Sequence, residues 1–190
     1  RPLKTLEKEN IIELTIVRGN YFGEIDIMDI ERSIKKNTKM IICSLSSNVN
    51  GIIMPIIDIG KIAEDKGILF LVDASQGAGS MKLDVQEIKA DMFAFPGHKG
   101  LLGPQGIGAL YVSEKVKITP IMRGGTGSRS ESFYQPEIFP DMLESGTLNT
   151  PGIVGLGFGI KFIESFGIDN IRIYKHMLVK RLYEGIENLS

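Results

Sequence analysis

Apolar residues in this chain gather into short runs, with polar stretches of helical spacing between them. The runs are Met40 to Leu45, Ile68 to Val72, Asp91 to Phe95 and Ile107 to Val112. The first two have the pattern of strands buried on both faces, as in parallel sheets, and Asp91 to Phe95 reads as another strand. Ile11 to Val17 is rich in β-branched and aliphatic residues and is broken by Gly19-Asn20, which predicts a further strand. Asp26 is placed to cap a helix whose apolar positions Ile27, Ile30 and Ile34 recur at helical spacing, up to about Lys36. Pro55 to Lys66 predicts a second helix, stopped by Gly67, and about Asp84 to Lys89 a short third. Ile153 to Phe166 and Asp169 to Leu189 predict two more, the last amphipathic with Asp169 near its cap. Strands alternating with helices argue an α/β fold with a mainly parallel sheet.

In such sheets, functional residues collect at the carboxyl ends of the strands. Asn48, in the loop Ser46-Ser47-Asn48-Val49-Asn50-Gly51, lies just past the end of one run. Asp73 ends the next, and Lys99 sits on the turn Pro96-Gly97-His98-Lys99-Gly100 after the third. A lysine at the mouth of a buried sheet loses hydration unless something uses its amine. A Schiff base to a carbonyl cofactor is such a use. Pyridoxal phosphate requires an amine, for which Lys99 is the candidate. It also requires a carboxylate that keeps the pyridine nitrogen protonated, for which Asp73 is the candidate. Its phosphate requires donors from backbone N–H groups, hydroxyls and neighbouring chains.

Composition narrows the alternatives. The chain has 190 residues, 43% of them hydrophobic, so a packed core is expected. A net charge of −1 gives no support for general polyanion or nucleic-acid binding. One cysteine, Cys43, excludes an internal disulfide framework and a cysteine-rich metal site, and suits a reducing cytoplasm. No run approaches the roughly 20 apolar residues that span a bilayer, so no membrane role is expected. His98 and His176 give no metal-ligand spacing. The glycines at 100, 103, 106 and 108 fail the dinucleotide fingerprint, because the third position after Gly106 and Gly108 is Tyr111.

Several segments then occur in a specific order. They are Asp73-Ala74-Ser75-Gln76, Gly97-His98-Lys99, Gly103-Pro104-Gln105-Gly106-Ile107-Gly108, Arg123-Gly124-Gly125 and Glu144-Ser145-Gly146-Thr147-Leu148-Asn149-Thr150-Pro151. This set resembles the class V aminotransferase family of pyridoxal phosphate enzymes, in its cysteine desulfurase and selenocysteine lyase branch. The resemblance implies a three-layer α/β/α large domain of fold type I. It implies that Lys99 is the Schiff-base lysine and the later acid/base, and that Asp73 pairs with the pyridine nitrogen. Gln76 would bond the phenolic oxygen, Asn48 would contact the ring or that oxygen, and His98 would help hold the phosphate. Gly125 and Thr126 resemble the segment that reaches the phosphate of a partner subunit. A homodimer is thereby implied, with the long loop 123–152 at its interface. The family often has a serine two residues before the position of His98; here Pro96 stands there and supplies no hydroxyl.

The resemblance further implies conversion of L-cysteine to L-alanine, with sulfur held on the enzyme and passed to an acceptor protein. Transamination, selenocysteine cleavage and a non-catalytic scaffold are the alternatives. Members of this family run to roughly 400 residues in two domains, so residues 1–190 read as a central part of the large domain. The segments that stack on the ring, bind the substrate carboxylate and carry a nucleophilic cysteine are expected outside it. Cys43 lies inside a predicted buried strand and reads as a small hydrophobe. His176, among Arg172, Lys175, Lys180 and Arg181, reads as part of a solvated helix face.

Overall fold

The computed structural model describes residues 1–129 and 131–189; Ser130, inside the expected interface loop, and Ser190 lie outside the described residues. Among the described residues four strands form one sheet in chain order: β1 (Met40–Ser44), β2 (Leu69–Asp73), β3 (Met92–Pro96) and β4 (Gly108–Val112). β1, β2 and β3 run parallel, and β4 returns antiparallel to β3. The mainly parallel sheet follows from its connections: the two parallel pairs are joined through helical segments, as parallel neighbours require.

The helices are α1 (Pro2–Lys8), α2 (Ile27–Ser33), α3 (Ile56–Lys66), α4 (Val85–Ile88), α5 (Thr150–Phe166) and α6 (Ile168–Glu187). Asp26 caps α2 by accepting from the Met28 N–H at 2.8 Å. α2 stops at Ser33, short of the expected Lys36, because Ile34 is already extended and Lys35 N–H turns to Thr38 Oγ1 at 2.8 Å. Gly67 ends α3 in the left-handed region at φ 64°, a conformation that glycine adopts without the Cβ penalty. Asp84 caps α4 through Gln86 N–H, and Asn149 caps α5 through Gly152 N–H.

The core lies between the sheet and α2, α3 and α4. Phe70 and Val72 of β2 point into it with Ile59 and Ala63 of α3 and Ile88 of α4, all buried. Their register partners Ile41 and Cys43 on β1 pack against the same cluster. Asp91 fixes the start of β3: its Oδ2 accepts the buried Phe70 N–H at 2.9 Å, and Lys115 Nζ lies 2.7 Å from its Oδ1.

Two expectations are corrected, and one helix was not expected. Ile11 to Val17 forms no strand; Ile11 and Ile16 are exposed, and strand composition without a paired neighbour makes no ladder. β1 is not buried on both faces. It is an edge strand, with Met40 and Ile42 exposed on the side away from α3. α1 has no counterpart in the hydrophobic pattern; Pro2 at its first turn is the signal that marks such a start. α5 and α6 leave Phe158, Phe162, Ile173 and Leu182 exposed. Among the described residues no single helix is long and apolar enough to cross a membrane, and α5 and α6 pass that test only as a pair bent by 82°.

Candidate active site

The carboxyl ends of β1, β2 and β3 lie side by side, so whatever follows each strand is delivered to one edge of the sheet. A cavity of about 170 Å³ opens there, lined by Ser44, Ser46, Asn48, Asp73, Ser75, Gln76 and Lys99. Four of these, Asn48, Asp73, Gln76 and Lys99, are the residues expected from the sequence. Ser44, Ser46 and Ser75 are additions. Ser44 enters the site through its register with Asp73 of β2, a relationship between strands that the sequence alone does not display.

Asp73 is the last residue of β2 and lies in register with Ser44 of β1 and Ala94 of β3. Its Oδ1 accepts the Ser75 N–H at 2.9 Å, which fixes the carboxylate at the strand end. Its Oδ2 has no hydrogen-bond partner among the described residues. The side chains of Ser44, Ser46, Asn48, Gln76 and Lys99 are likewise uncommitted among the described residues. A folded loop ordinarily ties such groups to its own backbone. Here Ser44, Asn48, Asp73, Gln76 and Lys99 are exposed, so their polar groups are open to solvent and to a bound molecule, and the loss of hydration expected for Lys99 does not occur in the unliganded fold.

Lys99 reaches the cavity through a close backbone fit. Leu45 N–H bonds Asp73 O at 2.8 Å, and Ala74 N–H bonds Ala94 O at 2.9 Å, which carries the sheet ladder into the loops. Gly97 N–H then bonds Ile107 O, and Gly103 N–H bonds Gly97 O, both at 2.8 Å, closing the turn that holds His98 and Lys99. Gly79, at φ 77°, lies against Gly100, so a Cβ on either would collide with backbone of the facing loop. Ser80 sits at the same junction, and Lys175 Nζ of α6 donates to its Oγ at 2.9 Å. His98 is exposed on this turn but does not line the cavity. Pro96 closes β3 opposite Gly108.

Gly125 and Thr126 do not line this cavity either. They belong to an irregular segment knit by its own side chains. Gln135 Oε1 accepts Gly124 N–H at 3.2 Å, and its Nε2 donates to the carbonyls of Asp141 and Met142. Gly146 N–H bonds Gly125 O at 2.6 Å, which brings the two ends of the segment together. Ser128 Oγ donates to Asp141 Oδ2 and lies 3.2 Å from Thr126 Oγ1.

Cys43 stands one residue before Ser44 but points to the core side of β1. Burial pushes its thiol up to about 11, from an ordinary value of 9.0. It therefore stays protonated and unreactive near neutral pH. A larger groove of about 570 Å³ lies near the start of β3, lined by Asp91, Tyr111, Ser113 and Lys115 among others. It contains neither Lys99 nor Asp73.

The residues present fit pyridoxal phosphate: an amine and a half-free carboxylate face one cavity, with amide and hydroxyl donors between them. The sequence model of the Aminotransferase class-V family matches residues 1–190. A protein of Pyrococcus abyssi (strain GE5 / Orsay), described as a probable cysteine desulfurase, is 39% identical over 100% of this chain and 48% of its own length. The apo structure of cysteine desulfurase from Thermococcus onnurineus NA1 superposes with a TM-score of 0.85, at 36% identity, over 99% of this chain and 48% of that one. The structure of SspA in complex with cysteine gives a TM-score of 0.71 at 33% identity, over 84% of this chain and 43% of that one. The chain thus spans about half the length of the curated relatives it matches. Its α/β sheet is that of fold type I.

Proposed function

The chain belongs to the class V aminotransferase family, and from that premise we propose that it carries the cofactor-anchoring part of an enzyme that removes sulfur from L-cysteine. The observation that carries the proposal is the meeting of Lys99 and Asp73 in one cavity whose polar side chains are otherwise uncommitted. The similarity to cysteine desulfurases and to a protein solved with cysteine supports cysteine as the substrate.

Pyridoxal phosphate, when bound, supplies an aldehyde that captures amines and a ring that takes up electrons from a bond broken beside the amino carbon. Asp73 would keep a proton on the ring nitrogen, and the Ser75 N–H on Oδ1 holds that carboxylate in place. Lys99 Nζ is the amine that anchors the aldehyde carbon. The same Nζ would serve as the acid/base that moves the substrate's Cα proton and returns a proton to Cβ. Gln76 and Asn48 offer amide donors to the ring's oxygen substituent, and His98 lies on the adjacent turn for the phosphate.

The net step balances as one substrate thiol and one acceptor thiol giving alanine and a persulfide. The Cβ–S bond breaks, an S–S bond forms, and the carbon fragment gains the hydrogen. The acceptor thiol is not Cys43, which is held protonated on the core side of β1, so it belongs to another segment of the protein. Gly125 and Thr126, away from this cavity, serve the phosphate in a second copy of the chain. The working protein is a homodimer in the cytoplasm, and it hands sulfur to an acceptor protein.

Full-length protein mixed with pyridoxal phosphate and L-cysteine tests the reading. Sulfide release in the presence of a reducing thiol, with alanine in equal amount, is expected. Amino transfer to a keto acid without sulfide would replace it with a transaminase.

A further inference from the structure

Ser44 has no role in any step above, yet it is the strand neighbour of Asp73. The two residues are paired in register on the parallel strands β1 and β2, whose backbones run about 4.8 Å apart. Residues paired in this way point to the same face, and both line the cavity with Lys99. The alternation is consistent along the pair: Cys43 and Val72, one step earlier, both turn to the core. Asp73 Oδ1 is satisfied by the Ser75 N–H, whereas Oδ2 is not satisfied among the described residues. The Ser44 hydroxyl is also uncommitted among the described residues. A carboxylate oxygen accepts more than one bond, so Oδ2 can take a hydroxyl donor and a ring nitrogen together.

Resting on the reading of Asp73 as the partner of the ring nitrogen, we propose that Ser44 is a positioning residue whose hydroxyl, unbonded in the unliganded fold, turns to donate to the Asp73 carboxylate when the cofactor is bound. Donors on a carboxylate stabilise its charged form. The more the negative charge on Asp73 is stabilised, the more firmly the shared proton stays on the ring nitrogen, and the better the ring accepts electrons. Ser44 thereby tunes the reaction without touching the reacting atoms. Ser75 performs the same service through its backbone, which a side-chain change cannot remove; Ser44 performs it through a replaceable hydroxyl.

The test uses full-length protein loaded with pyridoxal phosphate carrying ¹⁵N at the ring nitrogen. Ser44→Ala is expected to move the ¹⁵N resonance toward the free-pyridine position and to lower kcat roughly tenfold, with KM for cysteine little changed. Ser44→Thr, which keeps a hydroxyl on a strand-compatible residue, is expected to restore both. A Ser44→Ala protein with wild-type resonance and kcat overturns the proposal while leaving the assignment of Asp73 standing. So does a Ser44→Thr protein that matches Ser44→Ala. A wild-type protein that takes up no cofactor overturns the underlying reading together with this one.

Discussion

Gly79 and Gly100 meet backbone to backbone, and this contact decides where Lys99 stands. A methyl on Gly79 would strike the Gly100 carbonyl, and one on Gly100 would strike the carbonyl of Ala78. Each glycine lies next to one half of the site. Gly79 follows the loop that begins at Asp73, and Gly100 follows Lys99 directly. The amine and the carboxylate therefore line one cavity because two loops approach more closely than side chains permit.

Replacing Gly79 by alanine adds a positive-φ penalty to a backbone collision, and Gly100→Ala adds a collision alone. Gly79→Ala is expected to cost about 3 kcal/mol, and Gly100→Ala about 1–3 kcal/mol. Both should weaken cofactor binding by more than their loss of stability explains. Denaturant unfolding alongside titration with pyridoxal phosphate measures the two effects. Unchanged affinity in both variants would contradict the role given to this contact.

Asp91 holds the amino end of β3 and touches nothing in the site. It is 2% exposed, and its Oδ2 carries the buried Phe70 N–H. Asp91→Ala leaves that N–H unpaired and is expected to cost about 1–3 kcal/mol. Any protein that remains folded should bind cofactor with wild-type affinity. A large loss of affinity at full folding would mean that the start of β3 bears on the site.

Cys43 gives a pH prediction. Its thiol titrates near 11 in the fold and near 9.0 when exposed. Above pH 9 the unfolded chain gives up this proton while the folded chain keeps it. The stability from a neutral thiol is therefore complete below pH 9 and is lost between pH 9 and 11. Cys43→Val, which keeps an apolar side chain at this position, should remove that part of the slope. At pH 8 the fraction of thiolate at Cys43 should be roughly a hundredth of that of an exposed thiol. Peptide-resolved alkylation reads this directly, and rapid labelling at Cys43 would contradict it.

Much of this architecture was legible in the sequence because its signals are local. Asp26, Asp84 and Gly67 mark helix ends by chemistry that needs no distant partner. The strands β2 and β3 are apolar enough to declare themselves. Lys99 and Asp73 were legible because each follows such a strand, and parallel strands deliver their carboxyl ends to one edge. What was not legible depends on neighbours. Ile11 to Val17 has strand composition and lacks a strand to pair with among the described residues. Met40 and Ile42 read as buried, yet they sit on the open side of an edge strand. Ser44 gave no sign of belonging to the site until its register with Asp73 was known.

The central claim is that Lys99 anchors pyridoxal phosphate, and one measurement addresses it most directly. Full-length protein loaded with the cofactor is reduced with borohydride, digested and mapped by mass spectrometry. The account predicts a visible absorbance that vanishes on reduction, with the cofactor's mass left on Lys99, and no such band in Lys99→Ala. A label on another lysine, or a protein that takes up no cofactor, would contradict it.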